Sequence, residues 1–119
     1  MKNISPTELF GSHNLTQYLL CLQSADYIEI FESQNNRLAT DQEISELCKI
    51  AISKQEIIPT DEIVKILTIA TQAFIIGKGY NFLDEFRNRP DKTFTNDDGI
   101  KIKRIVETAM KDFENFARK

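Results

Sequence analysis

Hydrophobic positions recur along the chain at three- and four-residue intervals, and helix-starting polar residues stand just before most of these runs. Ser5-Pro6-Thr7-Glu8 has the form of a capping box with proline at the first helical position, and Gly11 follows as a stop; one short helix is predicted. Asn14 is placed to cap a second helix with Leu15, Tyr18, Leu19 and Leu22 at helical spacing. The stripe shifts phase around Ser24-Ala25-Asp26. Tyr27, Ile28, Ile30 and Phe31 continue it, either in the same helix or in a new one capped by Asp26.

Thr40-Asp41-Gln42-Glu43 is a second capping box, and Ile44, Leu47, Cys48 and Ala51 behind it give one buried stripe. Pro59 breaks the chain before Thr60-Asp61-Glu62, where acids suit the positive end of a helix. From there Ile63, Ile66, Leu67, Ile69, Ala70, Ala73, Phe74 and Ile76 cover more than half a helical circumference. That breadth predicts a helix over 61–77 at the centre of a bundle, ended by Gly77 and Gly79. The uncharged run 66–77 is too short for the roughly 20 apolar residues of a membrane span.

A short helix over 81–89 presents Phe82, Leu83 and Phe86, with Pro90 closing it. Thr95-Asn96-Asp97-Asp98 caps the last helix, an Asp standing for the usual Glu. Ile102, Ile105, Val106, Ala109, Met110, Phe113 and Phe116 are expected to face inward there, with Arg118 and Lys119 at its negative end. Strand alternation is absent. The expected fold is a single all-α domain over residues 1–119, a small bundle of five or six helices.

Composition narrows the function classes. Eighteen acids against fifteen bases leave a net charge of −3, which disfavours a dedicated nucleic-acid surface. The opening MKNISPTELFGSHN has no apolar signal-peptide core, and the two cysteines, Cys21 and Cys48, form no CxxC; a reducing cytoplasm is expected, with both thiols as buried apolar groups. His13 is the only histidine, so neither a zinc set nor a histidine-activated nucleophile can be assembled convincingly around it.

Three local patterns suggest chemistry without completing it. With Gly99 as the turn glycine of a calcium loop, Phe94 and Ile105 would occupy the first and last ligand positions, which rules the loop out. Gly77-Lys78-Gly79 follows a helix rather than a strand and lacks the longer run of a P-loop; a helix C-cap is the expected role. Lys101, Lys103 and Arg104 make one short basic cluster with no interleaved aromatics, read as a solvated face.

Tyr18-Leu19, Leu22, Tyr27 and Phe31, followed by Thr40-Asp41-Gln42-Glu43-Ile44 and Leu47, resemble the opening of a sterile alpha motif domain. The resemblance covers at most residues 15–50; the connecting segment is several residues shorter, and the family's Gly-Ile turn before its last helix is missing. Such a resemblance implies a protein-interaction module.

The expectation is therefore a cytoplasmic, non-enzymatic protein without cofactor or metal, acting as a regulator, adaptor or inhibitor by binding another protein or a second copy of itself. Tyr80, Phe82, Phe86 and Phe94, aromatics in short segments outside the long helices, are the expected partner-binding residues, with at least one of the three phenylalanines substantially exposed or covered by a second copy. The rival expectation is an enzyme or ligand carrier with a pocket lined by Tyr18, Tyr27, Tyr80 and an acid such as Asp84.

Overall fold

The computed structural model describes residues 1–11 and 15–117, with side-chain surroundings defined as far as residue 112; His13, Asn14, Arg118 and Lys119, and the side chains of Phe113 and Phe116, lie outside the described residues. Among the described residues six α-helices follow one another: α1 (Pro6–Phe10), α2 (Leu15–Asn35), α3 (Asp41–Lys54), α4 (Asp61–Phe74), α5 (Tyr80–Arg87) and α6 (Asn96–Ala117). A π-helical turn, Ile75–Gly79, joins α4 to α5. The protein is a small all-α bundle. Among the described residues there is no strand, and one parallel bridge between Lys2 and Ile57 ties the amino-terminal segment to the loop after α3.

The caps are where the sequence puts them. Glu8 N donates to Ser5 Oγ at 3.2 Å, and Ile63 N to Thr60 Oγ1 at 3.5 Å. At α3 the box closes both ways: Glu43 N donates to Thr40 Oγ1 at 3.2 Å, and Thr40 N to Glu43 Oε1 at 2.9 Å. Asn36 follows α2 at φ 52°, the left-handed conformation that asparagine tolerates at a helix end.

The open question about α2 resolves in favour of one continuous helix. It touches α1, α3, α4, α5 and α6, so its two halves bury different faces: Tyr18, Leu20, Cys21, Leu22, Ser24, Ala25 and Ile28 are all buried. The phase shift at Ser24-Ala25-Asp26 records a change of neighbours, not a break.

α4 is the central helix, touching α1, α2, α3 and α6. Its buried face is Ile63, Val64, Leu67, Thr71, Ala73 and Phe74, narrower than the apolar residues suggest. Ile69 and Ile76 are exposed, at 46% and 73%, and Ile66 is only partly buried. The last helix shows the same correction: Ile102 and Ala109 are buried, while Met110 turns outward. The helical run Asp61–Arg87 spans 27 residues, longer than its uncharged stretch, and by length and composition alone it would suffice to cross a membrane. α4 lies against four other helices, and the run bends at Gly77-Lys78.

The glycines at that bend do something other than the expected left-handed cap. Lys78 takes φ 75°, while Gly77 stays at φ −86°. What Gly77 supplies is room: a β-carbon there would lie 2.8 Å from Ile105 Cγ2 and 2.9 Å from the Ile105 carbonyl oxygen. α6 can therefore lie directly on the backbone of the bend.

Candidate functional site: the groove between α5 and α6

α5 and α6 run from opposite ends of the loop 88–95 and are fastened at its base. Arg89 donates two hydrogen bonds of 2.8 Å to the two oxygens of Asp98, and Arg89 also reaches Glu85 at 3.3 Å. Above this clamp the helices leave an open groove of about 700 Å³. One wall carries Lys78, Asn81, Phe82 and Glu85; the other carries Asp97, Ile100, Lys101, Arg104 and Ile105. On α6 Asp97, Ile100, Lys101 and Arg104 follow the i, i+3, i+4, i+7 spacing of one helix face, while opposite them Asn81, Phe82 and Glu85 share a face of α5 and Lys78 stands on the bend before it.

Its floor is apolar. Phe82 is 2% exposed, packs edge-on against Phe74 with ring centroids 6.4 Å apart, and is flanked by the charged groups of Arg89 and Lys101 at 5.7 and 5.3 Å. Ile100 is 49% exposed within the groove, comparable to Ile50 and Ile69 elsewhere on the surface, and is set apart by its place between the two charged walls. The rim is charged. Lys101 crosses from α6 to bond Glu85 Oε2 at 3.1 Å, and the Lys101 and Arg89 bonds hold the Glu85 carboxyl below the usual carboxylate range. Glu85 is therefore an ionised pairing group at neutral pH, not a proton donor.

The aromatic residues expected to meet a partner are distributed differently. Phe82 is buried in the groove floor, while Phe86 and Phe94 pack partly buried against the core; none of the three is substantially exposed in the isolated chain. Tyr80 is half-buried and donates to Glu32 Oε1 at 3.2 Å; burial, followed by the charge of Glu32, raises its pKa. Of these four residues, Phe82 alone belongs to the groove.

The four residues of the rival pocket line no common cavity among the described residues: Tyr80 and Asp84 lie one turn apart on α5, and the other two sit elsewhere. Tyr18 is buried between α2 and Gly99 of α6, Tyr27 lies beneath the Lys54 ammonium, and Asp84 faces solvent 3.9 Å from Arg87. None of these four lines the groove or the smaller depression formed by Phe31, Thr40, Gln42, Glu43, Glu46 and Leu47. The two cysteines are buried thiols, and burial pushes Cys21 up to about 12 and raises Cys48 as well. Among the described residues no three His, Cys, Asp or Glu side chains are grouped to hold a metal ion.

Lys101 and Arg104, expected on a solvated face, are both exposed, and they line the groove as well. Lys78-Asn81-Phe82-Glu85 and Asp97-Ile100-Lys101-Arg104 have the same sequence spacing, each with charged ends and a single apolar residue, Phe82 or Ile100, between them. The chain matches no protein-family model, no curated protein and no solved structure.

Proposed function

We propose that the protein works by binding another protein, as a regulator, adaptor or inhibitor, and that the α5–α6 groove is the docking site. The observation that carries this reading is Ile100, a half-exposed isoleucine set over an apolar floor and framed by charged side chains. Apolar centres with polar rims are the usual anatomy of a protein interface. The groove's one well-paired acid is held ionised, which suits a recognition surface better than acid–base chemistry. The proposed setting is the cytoplasm, where Cys21 and Cys48 would stay thiols.

A photo-crosslinking residue in place of Ile100 tests the proposal, with the same residue in place of Ile50, which is 48% exposed on α3, as the control. Irradiation in extract of the native host should give a protein adduct of discrete mass from position 100 and none from position 50. Equal labelling from both positions, or none from position 100, would sink the docking site. An adduct of twice the chain's own mass would make the partner a second copy.

A further inference from the structure

We propose that the groove takes an amphipathic helix with an apolar stripe and acidic flanks, a partner class that rests on the docking reading above. The fit begins with shape. From Asp97 to Ile105 the α6 wall is about 12 Å long at 1.5 Å per residue, which is two turns of a helix laid alongside. A ligand helix of that length offers apolar side chains at i, i+3 or i+4, and i+7, enough to meet Ile100, Ile105 and the Phe82 floor.

Charge then selects the flanks. The groove carries Lys78, Lys101 and Arg104 against Glu85 and Asp97. Glu85 is matched by Lys101 and Arg89, and Asp97 lies in the first turn of α6, where the helix's positive end offsets it. Lys78 and Arg104 have no acidic partner in ion-pair reach among the described residues. The rim is thus locally positive on a chain whose net charge is −3. Lys78 adds a second observation. It holds φ 75° between two glycines, a conformation that glycine or asparagine would adopt with less strain. A lysine held in a strained conformation at the groove's edge points to a use for its charge. A single-stranded nucleic acid would also seek the bases, but it needs exposed rings for stacking, and Phe82 lies buried beneath Lys101.

Three labelled synthetic peptides of about 15 residues, long enough to become helical, provide the probe. One has a leucine stripe flanked by glutamates, one the same stripe flanked by lysines, and one the acidic composition with the stripe scrambled. Each is titrated against the full chain by fluorescence anisotropy at low and high salt, beside a labelled single-stranded oligonucleotide. The acidic amphipathic peptide should bind tightest, by about tenfold over the basic one at low salt. Arg104→Glu and Lys78→Glu should each weaken it by about tenfold, and Ile100→Asp should remove it. Arg104 and Ile100 are solvent-facing, and a thermal melt of each variant confirms that it folds.

Binding of acidic and basic peptides alike, lost with Ile100→Asp, would overturn the acidic partner and leave the docking site standing. Binding that ignores Ile100→Asp would overturn both. No binding by any peptide would overturn the helical partner, and crosslinking from position 100 would then decide the groove. An oligonucleotide that binds, loses affinity with Ile100→Asp and Arg104→Glu, and is displaced by none of the three peptides would replace this partner class with nucleic acid.

Discussion

Arg89 and Asp98 face each other across the loop between α5 and α6 through two parallel hydrogen bonds of 2.8 Å, and the same carboxylate completes the cap of α6. Thr95 N donates to Asp98 Oδ2 at 2.9 Å, and Asp98 N donates to Thr95 Oγ1 at 3.2 Å. One buried side chain, 6% exposed, therefore ties the start of α6 to the end of α5.

This double role orders two substitutions. Thr95→Ala removes half the capping box and should cost about 1 kcal/mol. Asp98→Ala removes the other half and also leaves the Arg89 guanidinium without its main partner, so it should cost clearly more. Urea unfolding of both variants checks the order. Equal losses would mean the Arg89 pair contributes nothing beyond the cap.

Acid should destabilise the fold. The Arg89 bonds hold Asp98 below the usual range, the Lys101 bond does the same for Glu85, and the Arg37 pair brings Glu43 down to about 2. For each, the unfolded chain binds a proton at a higher pH than the folded chain. Their stabilisation is therefore present above the ordinary carboxylate pKa of about 4 and is lost as pH falls through the lower folded values. Glu29 acts oppositely: burial, then Asp84 and Glu32, raise its pKa, so folding is penalised while it is ionised and relieved as it protonates. Three lowered groups against one raised group predict falling urea midpoints below about pH 4. Asp98→Asn should flatten that slope. Midpoints that rise on acidification would remove these pairs as stabilising elements.

The core offers a contrast within a single helix. Leu67 is fully buried and Ile66 only partly so. Leu67→Asp should abolish folding, because an unpaired buried charge costs several kcal/mol, whereas Ile66→Asp can turn its carboxylate toward water and should leave a folded, weakened protein. One turn further, the Thr71 hydroxyl is buried with no hydrogen bond of ordinary geometry, as is that of Ser24. Thr71→Val keeps the shape and removes an unsatisfied group, so stability should hold or rise by up to about 1 kcal/mol. A substantial drop in melting temperature for Thr71→Val would show that its hydroxyl is satisfied through the neighbouring thiols.

Much of the fold was legible because caps and stripes are local. Thr40 with Glu43 and Thr95 with Asp98 announce helix starts from four adjacent residues, and their bonds form as that spacing requires. Burial was less legible because it depends on neighbours. Ile69 and Ile76 look like core from their own helix, yet no helix covers them, while Leu20 and Cys21 are buried because α2 is enclosed on several sides. The groove was hidden for the same reason. Phe82 and Ile100 are 18 positions apart, and their stripes face one another through tertiary ties, the Arg89–Asp98 clamp and the Lys101–Glu85 bond.

The bend at Gly77-Lys78 separates structural cost from binding. Gly77→Ala would place a β-carbon 2.8 Å from Ile105 Cγ2, 2.9 Å from the Ile105 carbonyl oxygen and 3.1 Å from Ala109 Cβ, with no flexible side-chain end to yield against the carbonyl. α6 must shift, at a cost of about 1 to 3 kcal/mol. Lys78→Gly runs the other way. It relieves about 1 to 2 kcal/mol of left-handed strain and gives back up to about 1 kcal/mol through the greater freedom of the unfolded chain. Net stability should hold or rise slightly. Affinity for the acidic amphipathic peptide should nevertheless fall, because the variant removes a rim charge without moving the walls. Melting curves and peptide titrations on the same preparations test both halves. If Lys78→Gly binds as the parent does, the strained lysine is a feature of the bend alone, and Arg104 must carry the groove's selectivity.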